Sequence, residues 1–192
     1  MLRWGKVNIE PGFLAFLLVA FLVGTESVLW AVIAAASFHE MGHLFALCLT
    51  GTHVKQISFT EFGVKIRADT QYLSYGRELL CVLAGPLSNI ILAFVLARTM
   101  QAYLLAGSNL MQGVFNLLPI SGLDGIRVLH LLISWGTNPW IADRICRVVG
   151  LLSGGMLAAM TAYLFFRHQT GLFLCLAAIG MFWNALRNPG GK

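Results

Sequence analysis

The sequence predicts an all-α polytopic membrane protein of about six transmembrane helices, with a short membrane-surface β-hairpin between the second and third. Three observations carry that expectation. The 192 residues are 58% hydrophobic and only 11% charged, with a mean hydropathy of +0.77, whereas soluble domains are about a quarter charged. Apolar runs of roughly 17 to 25 residues, long enough to cross a bilayer, recur along the whole chain. The longest polar stretch between them alternates with the period of a β-strand.

Taken in order, the first run covers residues 9–24 and ends in "GTES" without a small-x-small cleavage pattern, so it reads as a retained helix, not a signal peptide. Further runs lie at 27–49, 79–106, 108–136, 145–166 and 170–187, the fourth of them interrupted by Pro119, Gly122 and Gly125. In the polar stretch, Ile57 and Phe59, then Val64, Ile66 and Ala68, alternate with polar neighbours around the turn-like "TEFG". Neither end adds a soluble appendage, and the whole of 1–192 reads as a single membrane-embedded domain.

The formal charge is +5, but the basic residues are scattered and not interleaved with aromatics, which excludes nucleic acid as a partner. They orient the chain instead. With six crossings, Arg3, Lys6, Lys55, Lys65, Arg67, Arg77, Arg144, Arg147, Arg187 and Lys192 fall on the side of the N-terminus, against Arg98 and Arg167 on the other. Both termini and the hairpin are therefore expected on the cytosolic side. Cys48, Cys81, Cys146 and Cys175 stand singly, with no Cys-x-x-Cys spacing, and read as packing residues.

Ionisable groups within this apolar background point to function, because each costs about 2.5 to 3.5 kcal/mol at mid-membrane on insertion scales. His39-Glu40-Met41-Gly42-His43 is an H-E-x-x-H motif on a helical stretch, with both imidazoles on one face and able to reach one ion. Imidazole and carboxylate ligands suit Zn2+, and a catalytic zinc leaves a position open for water, from which Glu40 would take the proton. Depth selects a third ligand among the remaining acids. From the non-cytosolic ends of their spans, His39 and His43 are about 18 and 24 Å in and Asp124 about 24 Å, while Glu26 and Asp143 sit at boundaries. The broken helix around Asp124 also requires burial in protein or access to water.

These residues resemble the site-2 protease family of intramembrane zinc metalloproteases. The resemblance rests on His39-Glu40-x-x-His43, on Asn116-x-x-Pro119-x-x-x-Leu123-Asp124-Gly125, and on "AGPLSN", Ala84 to Asn89, which is similar to the family's G-P-x-x-N. It spans about residues 30–135 and looks most like the compact bacterial branch that includes a sporulation sigma-factor-processing protease. It implies one zinc per chain held by His39, His43 and Asp124, Glu40 as catalytic base, and Asn116 and Asn89 as substrate-positioning residues. The implied reaction is hydrolysis of a peptide bond in or near the transmembrane segment of a membrane-protein substrate. The resemblance further implies a home in the bacterial cytoplasmic membrane, with the active site nearer the cytosolic face, and a hairpin that offers an edge to an extended substrate. Where many relatives have proline before Leu-Asp-Gly and a second glycine after it, this chain has Gly122 and Ile126. No PDZ or CBS domain is visible, so regulation is expected from membrane partners or the bilayer.

Two other functions fit parts of the pattern. A transporter also places ionisable residues and broken helices at mid-membrane, but no inverted repeat is visible here. A non-catalytic, metal-bound scaffold would have no use for Glu40. His130, six residues after Asp124, is off its helical face and at most supports the ligands from behind.

Overall fold

The computed structural model describes residues 6–9, 25–60, 63–99, 102–168, 178–180, 182–183 and 186. Its elements are β1 (Lys6–Ile9), α1 (Glu26–Leu49), β2 (Val54–Thr60), β3 (Gly63–Ala68), α2 (Tyr75–Leu96), α3 (Tyr103–Asn116), α4 (Asp124–Gly136) and α5 (Pro139–His168), with a 3-10 turn at Thr70–Tyr72. The chain divides into two compact units, Met1–Phe115 and Asn116–Lys192. Among the described residues, three helices are long and apolar enough to cross a membrane: Glu26–Leu49, Tyr75–Leu96 and Pro139–Arg167. That is a membrane protein of mainly helical build, and it is fewer spans than the six expected. Most of the first and last expected spans, 9–24 and 170–187, lies outside the described residues. The expected third span, 79–106, is corrected: α2 ends at Leu96, the polar Arg98-Thr99 follows in a turn, and Tyr103 already opens the next helix. The expected fourth span is two helices, α3 and α4, joined by 117–123.

In the first unit, α1 ends in a left-handed Gly51 (φ 70°), with Gly51 N–H donating to Cys48 O and Thr52 N–H to Leu47 O. This is the Schellman closure that satisfies the last carbonyls of a helix. It turns the chain into β2, which pairs antiparallel with β3, Ile57 opposite Ile66 and Phe59 opposite Val64. The alternation read from the sequence thus has a physical role. Ile57 and Val54 are buried with Leu47 and Cys81, and Phe59, Val64, Ile66 and Leu73 pack against them, so one sheet face covers the ends of α1 and α2. The sheet has a third strand that the sequence reading did not anticipate, β1, parallel to β2 with Val7 opposite Ile57. Four residues are too few to stand out by periodicity. The exposed Lys55–Asp69 ion pair at 2.9 Å adds at most about 1 kcal/mol.

Between the helices of this unit, close approach depends on small residues. A Cβ on Gly42 of α1 would lie 2.7 Å from the Ala84 carbonyl oxygen of α2, and one on Gly113 of α3 would lie 2.9 Å from that of Pro86. Small side chains at such crossings let backbones approach where lipid supplies no hydrophobic drive. In the second unit, α4 and α5 pack as a helical hairpin. Asn138 Oδ1 accepts from the Trp140 N–H and so caps the start of α5.

Candidate metal centre

α1 carries His39 and His43 one turn apart on the face turned toward α2. His39 is buried, while Glu40 and His43 are half-buried. The two Nε2 atoms lie 3.1 Å apart, with the rings edge to face and centroids 4.7 Å apart. His43 Nδ1 lies 2.8 Å from the Cys81 carbonyl oxygen. A carbonyl only accepts, so Nδ1 carries the proton and the Nε2 lone pair is left to face His39. This is the way a backbone carbonyl fixes the tautomer of a metal-binding histidine. Gly85 of α2 completes the arrangement, because a Cβ there would overlap the His43 imidazole at Nε2. The donor chemistry and the glycine cradle both fit Zn2+.

Asp124 opens α4, half-buried in its first turn, where the helix dipole favours a carboxylate. The segment before it is held in an irregular conformation by specific contacts. Gly122 has φ +99°, open to glycine at little cost. Ser153 Oγ of α5 lies 2.6 Å from the Pro119 carbonyl oxygen and donates to it. Gly150 of α5 leaves room for Ser121, since a Cβ there would lie 2.7 Å from Ser121 Oγ. Gly125 is equally constrained, because a Cβ would overlap the Leu117 carbonyl. The departures at Gly122 and Ile126 therefore leave a well-held loop: Gly122 supplies its left-handed residue, and Ile126 is buried. α5 thus receives this loop at Gly150.

His39 and His43 of the first unit and Asp124 of the second are residue types that hold a metal ion, two imidazoles and a carboxylate. Asn116 ends α3, half-buried. Asn89, in α2, is completely buried, and among the described residues neither its Nδ2 nor its Oδ1 has a hydrogen-bond partner. Leaving buried amide atoms unpaired costs about 1 to 3 kcal/mol each, a cost that a polar atom of a ligand or water would relieve. His130, read from the sequence as at most a support behind the ligands, has its Nε2 2.9 Å from Asp143 Oδ1, across the α4–α5 hairpin. Sequence reasoning missed Gly85, the Cys81 carbonyl and Ser153. Gly85 was visible only as part of "AGPLSN", and its contact with His43 depends on the register of two helices.

No protein-family model matches the sequence. A zinc metalloprotease of Methanocaldococcus jannaschii is 30% identical over 146 residues, a match covering 67% of this chain and 42% of that protein. The chain thus spans less than half the length of that relative. Among solved structures, the site-2 protease from Methanocaldococcus jannaschii superposes with a TM-score of 0.71 at 20% identity, covering 100% of this chain and 93% of the other. That likeness shows the fold. The chain thus shares the fold of a site-2 protease and a sequence likeness with a zinc metalloprotease.

Proposed function

We propose that this protein is an intramembrane zinc metalloprotease that hydrolyses a peptide bond in or near the transmembrane segment of another membrane protein. The observation that carries the reading is the His39–His43 pair of α1, its Nε2 atoms 3.1 Å apart, with Glu40 beside the first histidine. His39 and His43 offer Nε2 and Asp124 a carboxylate oxygen, and one zinc per chain satisfies that donor set. Zinc, when bound, polarises the scissile carbonyl and lowers the pKa of water to about 7. Glu40 accepts the proton of the attacking water and returns it to the leaving amine. Cys81 holds His43 in the metal-binding tautomer through its carbonyl. Asn116 and Asn89 position the substrate, the unpaired amide of Asn89 supporting a polar contact with something that enters.

A helical substrate shields its peptide bonds, so it must be extended before it is cut. The sheet order β1–β2–β3 leaves β3 at an edge, to which an extended segment can add as a strand. The whole chain acts as one domain in the cytoplasmic membrane, with its termini and catalytic centre toward the cytosol, as the distribution of Lys and Arg supports. Its regulators are membrane partners.

Zinc analysis of detergent-purified protein tests the centre. One zinc per chain is expected for the wild type, less for Asp124→Ala, and none for His39→Ala/His43→Ala. Glu40→Gln is expected to keep the metal and lose cleavage of quenched-fluorophore transmembrane peptides in proteoliposomes. Absence of zinc from careful wild-type preparations would overturn the reading and favour a transporter.

A further inference from the structure

We propose that the first turns of α5 form a binding surface for the headgroup of an anionic phospholipid, with Trp140, Arg144 and Arg147 as its contact residues. The three are spaced by four and three positions, so they share one helical face. All are exposed, and the Arg144 guanidinium lies 4.1 Å over the centre of the Trp140 ring. That stacking holds the guanidinium flat on an aromatic surface and leaves its N–H donors at the edge for an incoming anion.

The charge of this face is not neutralised locally. Asp143, the carboxylate adjacent in sequence, is engaged by His130 across the helical hairpin at 2.9 Å. Among the described residues, neither Arg144 nor Arg147 is in an ion pair. Among the described residues, these two positive charges therefore stand together without a counter-ion, and phosphate is the anion whose geometry suits an arginine pair.

The depth of the face identifies where that phosphate comes from. From Val148 to Phe166 the helix has no charged residue, and at about 1.5 Å per residue this stretch is about 28 Å long, the thickness of a bilayer's hydrocarbon. Arg147 and Arg144 then sit at one headgroup level and Arg167 at the other. Next to the arginines, Ile141, Ile145, Val148 and Leu152 make an exposed apolar strip that continues from the headgroup level into the hydrocarbon. A phosphate attached to acyl chains satisfies both parts of the surface, whereas a soluble phosphate satisfies only one. A zwitterionic lipid brings its own ammonium group and gains less from the two arginines.

Native mass spectrometry of the full chain in mixed micelles with equal amounts of phosphatidylglycerol and phosphatidylcholine tests this. Wild-type protein is expected to retain phosphatidylglycerol in preference, and Arg144→Gln and Arg147→Gln each to lower that preference roughly fivefold, the contribution of one basic residue at an anionic surface. Trp140→Leu is expected to lower it as well, because Arg144 loses its support. Arg98→Gln, at an exposed arginine after α2, is expected to leave it unchanged. The proposal is overturned if the wild type shows no preference, if the double variant Arg144→Gln/Arg147→Gln keeps it, if Arg98→Gln lowers it equally, or if inorganic phosphate at the lipid's concentration displaces the lipid.

Discussion

Two regions of this protein present the residues proposed as zinc ligands by opposite means. In the α1–α2 pair the backbone is regular helix throughout, and the site is made by what is missing: Gly42 and Gly85 remove side chains so that the helices approach and the imidazoles have room. In the second unit the backbone is broken between α3 and α4, and the site is made by what is added. Gly122 turns the chain, Ser153 satisfies the Pro119 carbonyl, and Gly150 admits Ser121. A regular helix already satisfies its own backbone, so it needs only space. A broken one exposes polar groups to the membrane interior and needs partners for them.

That difference is testable, beginning with the chemistry the helix pair supports. Glu40→Gln is expected to lower proteolysis by roughly 10²- to 10⁴-fold, the range of a general acid–base group, with zinc content unchanged. If zinc falls with activity, Glu40 belongs to the scaffold of the helix pair and not to its chemistry. Gly85→Ala is next, because its Cβ would displace His43. We expect zinc affinity to fall about 10- to 100-fold, measured by competition with a chelating dye, as happens when the orientation of a metal-bound histidine is lost. Unchanged affinity would mean that the helix pair is looser than its glycines indicate.

In the broken segment the effects should be smaller and should appear first in stability. Gly122→Ala is expected to cost about 1 to 2 kcal/mol through its left-handed φ, read from unfolding in mixed micelles. Ser153→Ala is expected to cost about 1 kcal/mol for the hydrogen bond lost at Pro119. If Ser153→Ala has no effect while Gly122→Ala does, the loop is held by its own conformation and not by α5. The smallest change is expected at the part-exposed His130–Asp143 pair, where His130→Ala should stay within about 1 kcal/mol.

Much of this was legible in the residues. The H-E-x-x-H spacing puts two imidazoles on one face wherever a helix forms, and the alternation from Ile57 to Ala68 marks a two-faced strand pair before any partner is known. Pro119, Gly122 and Gly125 announced the break before α4. Other features were not legible for physical reasons. The end of α2 at Leu96 is decided by a polar turn within a long apolar run, where hydropathy averages over the boundary. Strand β1 is four residues long and exists through its pairing with β2, which lies far along the chain. His130 has no local spacing that reveals Asp143, because the α4–α5 hairpin creates that pair.

The sequence by itself determined the membrane setting, the two-histidine helix face with its glutamate, and the interrupted segment that presents Asp124, because each follows from local composition or the pitch of one helix. Tertiary structure alone decided which nitrogen of His43 is left for a metal, which glycine makes room for it, and which side chains of α5 hold the broken segment. Those depend on the register between elements distant in sequence, and register is set by packing.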